Sequence, residues 1–298
     1  MNQLIVIGGA TATGKSDLAL EIAAEIGAEI INADSMQLYK GMDIGTAKLT
    51  QSERRGISHH LIDVVAPSED VTVSWYQEQA RSIIDELLVN KPVVVVGGTG
   101  LYIKAILDDL NFPETDENVR NSLNELAEKI GAQALHERLV KLDPAAALAI
   151  PKENVRRVVR ALEVIEITGK PFTANLPREG STKYPNAKQF CLELDRDLLD
   201  ERIDKRVNQM WEKGFVGEVS ELLKSPIGRT ARQAIGYSQI INFLEGQTSE
   251  SDAKELTKIA TRQYARRQET WFKRDERINW IQSGSNRKEA LLRAILKA

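Results

Sequence analysis

The sequence has few of the features that mark secreted, membrane or disulfide-stabilised proteins. Its 298 residues contain one cysteine, Cys191, which excludes an intrachain disulfide framework and a cysteine-rich zinc finger. The apolar runs fall short of the ~18 residues that a membrane span needs. No Lys or Arg precedes Lys15 to form the charged start of a secretory signal. We therefore expect a cytoplasmic protein with no membrane partner.

An excess of charge of one sign is also missing. The net charge of −3 argues against a surface that binds polyanions everywhere, so a nucleic-acid surface would be confined to particular elements. Hydrophobic residues make up 42% and charged residues 28%, which is typical of a folded chain. The length is about twice that of a common domain, which predicts two domains or one α/β domain with a large insertion.

Strand and helix patterns alternate in the first third of the chain. Continuous apolar runs predict buried strands at residues 3–7, 29–33, 60–65 and 92–96, and apolar residues at helical spacing predict helices at 16–26 and 73–88. Strands buried on both faces that alternate with helices are typical of a parallel sheet. The expected fold is an α/β fold with a doubly wound parallel sheet.

The pattern changes after Pro113. Helices follow one another at 117–130, 132–142 and 153–168, and the next strand comes at 190–194. This predicts an all-helical insertion, residues 115–188, in a core domain formed by residues 1–114 and 189–298. Two long charged helices at 197–213 and 249–272 and a short strand at 277–281 complete the predicted core.

The clearest motif follows the first strand. The segment GATATGKS, residues 9–16, matches G-x-x-x-x-G-K-[ST] between a predicted strand and a predicted helix. Its backbone N–H groups can surround phosphate oxygens, Lys15 supplies positive charge, and the Ser16 hydroxyl can hold Mg²⁺. The residues expected to bind phosphate are Gly9, Ala10, Thr11, Ala12, Thr13, Gly14, Lys15 and Ser16. The motif predicts a Mg²⁺-bound diphosphate and leaves open whether a nucleotide such as ATP carries it.

Two further nucleotide-specific signals are missing. The strand at 92–96 ends in glycine instead of the aspartate that organises Mg²⁺ in many phosphate-loop hydrolases, and Asn90-Lys91-Pro92-Val93 lacks the aspartate that reads guanine. A GTPase is therefore not expected. The acid that does follow a strand is Asp34, at the sheet edge where α/β proteins bind ligands. Asp34 could polarise a nucleophile, organise a metal-bound water, or only cap the next turn.

The order of motifs along the chain resembles that of the bacterial tRNA dimethylallyltransferases, the IPP transferase family. In chain order the motifs are GATATGKS (9–16), DSMQLY (34–39), GMDIGTAK (41–48), HHLID (59–63), VGGTGLY (96–102), RALEV (160–164), AIGY (234–237) and TRQYARRQETW (261–271). Two residues depart from the family pattern: Ala10 stands where many members have proline, and Ser238 where a basic residue is common.

The resemblance implies an enzyme that moves a dimethylallyl group from dimethylallyl diphosphate to N6 of the adenine just 3′ of the tRNA anticodon, releasing diphosphate, with Mg²⁺ as cofactor. The phosphate loop and Arg206 would then bind the diphosphate. Asp34 would accept the proton from the amine, which Thr99 would hold. An adenine amine is a weak nucleophile because its lone pair is conjugated with the ring, so stabilisation of the leaving group should dominate, with Lys15 as the main charge.

The implied partner is the anticodon stem-loop of tRNA, and a monomer is expected. The residues expected to bind tRNA are Asp34, Ser35, Met36, Gln37, Thr99, Arg120, Arg156, Arg157, Arg160, Gln233, Gly236, Tyr237, Arg262, Arg266, Arg267 and Lys273. Charged helix faces are often only exposed to solvent. Here the resemblance favours contact with RNA over that alternative. Tyr264 and Trp271 are expected in the core.

Two other functions stay open at this point. A kinase for a nucleoside monophosphate or another small molecule would use the same loop and sheet with ATP as donor. A non-catalytic RNA-binding protein could also carry the phosphate loop. ATP turnover would favour the first, and tight tRNA binding without turnover would favour the second.

Overall fold

The computed structural model describes residues 3–110, 112–175, 182–283 and 287–296. The strands are β1 (Leu4–Gly9), β2 (Glu29–Asn32), β3 (His59–His60), β4 (Val93–Val96), β5 (Lys188–Glu193) and β6 (Ile278–Gln282). The helices are α1 (Lys15–Ile26), α2 (Val73–Leu87), α3 (Gly100–Leu107), α4 (Glu117–Leu142), α5 (Pro144–Ala149), α6 (Val155–Thr168), α7 (Arg196–Glu212), α8 (Phe215–Leu222), α9 (Arg229–Arg232), α10 (Tyr237–Leu244), α11 (Glu250–Phe272) and α12 (Arg287–Leu296). Within these ranges no helix is both long and apolar enough to cross a membrane.

The chain forms two compact units. The first, called here the α/β unit, comprises Met1–Leu107 and Tyr184–Ala298, and the second, the helical unit, comprises Asp108–Lys183. The helical unit begins and ends a few residues before the predicted insertion of 115–188. Residues 176–181, which fall within the predicted insertion, lie outside the described residues.

The α/β unit is built on a parallel sheet with the strand order β3-β2-β4-β1-β5-β6. All six residues of β1 and all four of β4 are buried. Alternate side chains of a strand point to opposite faces. Accordingly, Leu4 and Val6 belong to one apolar cluster, which includes side chains from α2, α3, α8 and α10. Ile5 and Ile7 belong to a second cluster, with α1 and α12. Helices thus cover both faces, which confirms the predicted doubly wound parallel sheet.

The strand predicted at 60–65 is wrong. The structure has only the two-residue β3, because Leu61 and Asp63 have positive φ angles, +59° and +58°, which interrupt an extended chain. Beyond this interruption, Val65 forms an isolated β-bridge with Tyr39. Helix α3 was not predicted, since its start lies inside a glycine-rich turn.

The helical unit has its own apolar core, formed mainly between α4 and α6. Gly131 has φ +80° and breaks α4, as the two separate predicted helices imply. Leu123, Leu135 and Leu139 of α4 pack with Val158 and Leu162 of α6. Helix α5, which was not predicted, is capped by Asp143, whose carboxylate accepts the Ala146 N–H at 3.0 Å.

Candidate active site

The phosphate loop lies between β1 and α1. The hydroxyl of Thr13 and the amino group of Lys15 both donate to the carbonyl oxygen of Ala10, at 2.8 and 3.1 Å. Gly14 has φ +87°, a conformation that favours glycine and lets the chain turn directly into the helix. Because α1 begins at Lys15, the partial positive charge of a helix N-terminus is added to that of the lysine. The loop therefore has the form of an anion site.

A cleft that is open to solvent lies beside this loop at the carboxyl ends of the parallel strands. Thr11, Lys15 and Ser16 line it on the phosphate-loop side, and Asp34 lines it from the loop after β2. Arg206 enters from α7. The other lining residues are Ile30, Asn32, Gln37, Leu49, His59, Ile62, Val96 and Gly97. All of them belong to the α/β unit, so the cleft brings together the predicted phosphate loop, Asp34 and Arg206.

The charges in the cleft are unbalanced. Burial, and secondly the nearby Arg206, lower the pKa of Lys15 to about 8, and the Asp34 carboxylate opposes this shift. Burial also lowers the pKa of Arg206, again against the effect of Asp34. Two cations thus share this cleft with one carboxylate. An anion bound between them would restore the charge balance.

Asp34 caps the next turn, one of the roles that the sequence left open, and its side chain also faces the cleft. Its Oδ1 accepts the backbone N–H of Met36 at 3.0 Å, which caps the turn after β2. The same side chain lines the cleft and acts electrostatically on Lys15 and Arg206. Asn32, at the end of β2, also stabilises the turn, because its Oδ1 accepts the N–H of Asp34 at 3.0 Å. The carboxylate is therefore held in place in the cleft.

Thr99 lies in the loop after β4, beside the turn that carries Asp34. Its Oγ1 accepts the Ser35 N–H at 3.1 Å, and its own N–H donates to the Ala33 carbonyl at 3.1 Å. The two loops are thereby joined by side-chain and backbone bonds. Thr99 lies next to the Asp34 turn, as its predicted role in holding the acceptor amine requires, and the role itself stays a prediction.

Two residues of α11 at this site were missed. Gln268 is buried and accepts the Thr11 N–H at 2.9 Å, so this N–H, which the motif assigned to phosphate, already has a partner. Tyr264 lies one turn earlier, and its hydroxyl interacts with the side chains of Thr99 and Gln268. Both residues lie in the TRQYARRQETW motif, where the sequence drew attention to arginines. Trp271 was expected in the core, and this is wrong: its side chain is 38% exposed and lies against Gly100.

The other residues of the α/β unit that were predicted to bind tRNA lie in three places: at the cleft, on the surface and in the interior. Gln37 lines the cleft, and Ser35 and Met36 are half-buried beside it. Gln233 is exposed. Gly236 and Tyr237 are buried, so the Tyr237 side chain is not accessible to RNA in this structure.

The interior position of Tyr237 has a structural explanation. Its hydroxyl donates to Glu218 Oε1 at 2.6 Å, and the Glu218 carboxylate also accepts the backbone N–H groups of Asp43, Ile44 and Gly45. The pair therefore holds the GMDIGTAK loop. Gln37 donates to Thr46 of that same loop at 3.1 Å. Tyr237 thus supports the cleft through a neighbouring loop.

The basic residues of α11 are partly engaged within the protein. Arg262 forms an ion pair with Asp204 of α7, and Arg266 lies 3.8 Å from Asp200 of the same helix. Lys273 pairs with Glu269 at 2.6 Å. The Arg267 guanidinium lies 5.7 Å from the centre of the Tyr264 ring. Arg266, Arg267 and Lys273 are exposed, whereas Arg262 mainly joins α11 to α7.

In the helical unit two predicted RNA-binding arginines surround a carboxylate that the sequence did not single out. Glu163 is fully buried and pairs with Arg120 and Arg160, each at 3.0 Å. Its Oε1 also accepts the Asp116 N–H at 3.1 Å. Arg120 and Arg160 therefore stabilise the unit. Arg156 and Arg157 are exposed at the start of α6, and the Arg120 side chain also keeps 42% of its surface exposed.

Comparison with known proteins assigns the chain to a family. The family model described as IPP transferase matches residues 37–275. The chain is 54% identical over 290 residues to a tRNA dimethylallyltransferase of Thermobifida fusca, covering 94% of this chain and 90% of that protein. It is 51% identical over 286 residues to one of Streptomyces griseus, covering 95% and 91%.

Solved structures agree with this assignment. A tRNA isopentenylpyrophosphate transferase of Bacillus halodurans matches with a TM-score of 0.72 and 36% identity, over 100% of this chain and 96% of that one. A eukaryotic dimethylallyltransferase, solved acting on tRNA, matches with a TM-score of 0.84 and 28% identity, over 100% of this chain and 79% of that one. The resemblance in motif order is thus confirmed, and the chain belongs to the IPP transferase family, the tRNA dimethylallyltransferases.

Proposed function

We infer that the protein transfers the dimethylallyl group of dimethylallyl diphosphate to N6 of the adenine just 3′ of the anticodon in tRNA. The observation that carries this proposal is the single cleft in which Lys15 and Arg206 face Asp34. The cations suit an anionic leaving group, and the carboxylate suits an amine that loses a proton. Family membership decides against the kinase and the non-catalytic RNA-binding protein.

The first requirement of the reaction is stabilisation of the leaving group. As the allylic carbon–oxygen bond breaks, its electron pair stays on diphosphate, and the carbon becomes cationic enough for a weak amine to attack. Lys15 and Arg206 would neutralise the departing charge. Their site is already partly desolvated, as the lowered pKa values show, so their fields are weakly screened.

The second requirement is removal of a proton. When N6 bonds to the allylic carbon, the amine becomes acidic, and a carboxylate at hydrogen-bond distance can accept its proton. Asp34 would be that base. Because its Oδ1 is held by the Met36 N–H and the adjacent Ser35 is held by Thr99, the carboxylate is oriented before the substrate arrives.

The residues present are compatible with Mg²⁺. Ser16 lines the cleft directly after Lys15, and the described residues contain no group of three His, Cys, Asp or Glu side chains that could hold a metal on their own. This fits an ion held by one hydroxyl and by substrate phosphates. Mg²⁺ is commonly bound in this way, with few protein ligands and several waters. We propose that Ser16 holds Mg²⁺ with the donor, where the ion would add positive charge against the diphosphate.

The proposed partner is the anticodon stem-loop. Exposed Arg156 and Arg157 in the helical unit, and Arg266 and Arg267 in the α/β unit, could contact its phosphates. We propose that the protein acts as a monomer. A tRNA substrate implies a cytoplasmic location.

The function is tested by incubating the protein with Mg²⁺, dimethylallyl diphosphate labelled in the allyl group, and unmodified tRNA. We expect label in RNA from the wild-type protein and almost none from Lys15→Ala, because the diphosphate loses its main fixed charge. ATP hydrolysis without RNA labelling would overturn the proposal. Wild-type turnover of a folded Lys15→Ala variant at saturating donor would overturn the role of the phosphate loop.

A further inference from the structure

Gln268 of α11 joins the two sides of the cleft. Its Oε1 accepts the backbone N–H of Thr11 in the phosphate loop at 2.9 Å. Its Nε2 donates to the carbonyl oxygen of Gly98 in the loop after β4 at 2.8 Å. The side chain is only 5% exposed, so these bonds are shielded from water. One amide thus connects the loop that would hold the donor to the loop that would hold the acceptor.

The Gln268 amide packs closely against the backbone at Gly98. A Cβ atom on Gly98 would lie 2.1 Å from Nε2 of Gln268, so only glycine at this position lets the amide reach the backbone. The last ladder bond between these two segments is from Gly97 N–H to the Ile7 carbonyl, at 3.3 Å. Gln268 therefore extends the connection between β1 and β4 beyond the end of the sheet.

The acceptor side is tied to the same helix a second time. Tyr264 lies four residues before Gln268, so both side chains project from one face of α11. Burial raises the pKa of Tyr264 to about 12, and its hydroxyl interacts with Thr99. Thr99 in turn accepts the N–H of Ser35, next to Asp34. A continuous set of bonds runs from Thr11 through α11 to the turn that carries the base.

An amide is suited to this place by its chemistry. The Thr11 N–H needs an acceptor and the Gly98 carbonyl needs a donor, and glutamine provides one of each from a rigid planar group. A carboxylate would set an oxygen against the Gly98 carbonyl. It would also bring negative charge toward the diphosphate site.

We propose that Gln268 is a positioning residue that sets the distance between the allylic carbon of the donor and the acceptor amine. The proposal rests on the proposed function. Reacting atoms must approach to roughly 3–3.5 Å, and a misplacement of about 1 Å can cost on the order of 10²-fold in rate. The separation of the two loops is therefore the quantity that Gln268 controls.

Loss of this control has a chemical signature. When the amine is out of place, water can attack the activated allylic carbon. A carbon–oxygen bond to water then forms as the bond to diphosphate breaks, a proton goes to solvent, and the product is dimethylallyl alcohol. The ratio of alcohol to prenylated tRNA measures positioning directly, and a general loss of stability does not raise it among the molecules that remain folded.

The test compares Gln268→Met, which keeps the length of the side chain and removes both bonds, with Thr257→Val on the same helix. Thr257 is the matched control, because it is also buried and its hydroxyl donates only within α11, to the Ala253 carbonyl at 2.8 Å. Single-turnover rates are measured with labelled dimethylallyl diphosphate and saturating tRNA. Dissociation constants for both substrates, the alcohol-to-tRNA ratio and the thermal unfolding midpoint are measured on the same samples.

For Gln268→Met we expect transfer to slow by about 10²-fold, a raised alcohol ratio, and dissociation constants that change by less than about threefold. Thr257→Val should keep the wild-type rate and ratio. Equal effects of the two variants, or a loss confined to substrate binding, would overturn the proposal. If Gln268→Met does not fold, Gln268→Asn carries the same test, since its amide is one methylene group shorter and cannot keep both bonds to Thr11 and Gly98. If the wild-type protein itself transfers no label, the proposed function fails instead.

Discussion

The amino group of Lys15 donates to the carbonyl oxygen of Ala10, at 3.1 Å, inside its own loop. This bond keeps the lysine folded against the loop, next to Arg206 and away from full solvation. Burial and the nearby Arg206 thus destabilise the protonated form of Lys15, and an incoming diphosphate would stabilise that form. Donor binding and protonation of Lys15 should therefore be coupled.

The first prediction concerns pH. Since the pKa of Lys15 is about 8 in the free protein, below its ordinary 10.5, the free protein loses this proton as pH rises through 8. A bound diphosphate raises the pKa again, so binding at pH 9 should take up nearly one proton, and each pH unit above 8 should weaken binding by up to about tenfold. Calorimetry in two buffers of different ionisation enthalpy measures the uptake.

Lys15→Arg is the control for this linkage, because its guanidinium stays charged at pH 9 and should bind without proton uptake. An equal enthalpy in both buffers for the wild-type protein at pH 9 would show that donor binding takes up no net proton, contrary to the expectation.

The second prediction concerns the base. Asp34→Asn keeps an oxygen that can accept the Met36 N–H, so the turn and tRNA affinity should survive. The variant cannot take the proton of the amine, and the single-turnover rate with prebound tRNA should fall by roughly 10²–10⁴-fold. An unchanged rate would reduce Asp34 to its capping role.

The third prediction concerns the helical unit. Glu163→Gln removes the charge that pairs with Arg120 and Arg160, and because both arginine side chains are partly exposed to solvent, this should cost roughly 1–3 kcal/mol of unfolding free energy. Glu166→Gln on the same helix is the control, because Glu166 is exposed and its change should cost little. Urea unfolding of both variants gives the comparison, and equal midpoints would contradict a stabilising role for this cluster.

The fourth prediction concerns the RNA surface. Arg156 and Arg157 are exposed, unlike Arg160, so replacing both by alanine tests RNA contact without disturbing Glu163. The tRNA dissociation constant should rise, and the slope of log affinity against log salt should fall by up to about 2, since fewer counterions are released. Donor affinity should stay the same.

Replacing Lys224 and Lys288 by alanine removes two positive charges outside the predicted RNA-binding set and serves as the charge-matched control. If the arginine and lysine pairs change the salt slope equally, the helix α6 surface has no specific part in RNA binding.

The sequence predicted the parts of the site that follow from local pattern. The phosphate loop was recognisable because Gly9 to Ser16 are contiguous and lie between a strand and a helix. Asp34 could be placed because the end of a parallel strand fixes the sheet edge. The sheet itself followed from apolar runs such as 93–96, which are buried on both faces.

The missed parts depend on contacts between distant segments. Gln268 is polar and lies within an arginine-rich stretch, and nothing in its neighbours indicates that its amide meets Thr11, 257 positions earlier. From the sequence alone Glu163 looks like a solvent-exposed helix residue, and only the fold shows that Arg120 lies beside it. The predicted third strand was too long because residue type does not indicate that Leu61 and Asp63 have positive φ angles.

The proposed function requires that one cleft deliver a dimethylallyl group to one adenine. The most direct measurement is mass spectrometry of nucleosides from tRNA treated with the protein, Mg²⁺ and dimethylallyl diphosphate, beside a matched tRNA with guanine in place of the adenine 3′ of the anticodon. We expect an adenosine carrying one dimethylallyl group in the first tRNA and no prenylated nucleoside in the second. Equal modification of both tRNAs, or of neither, would contradict it.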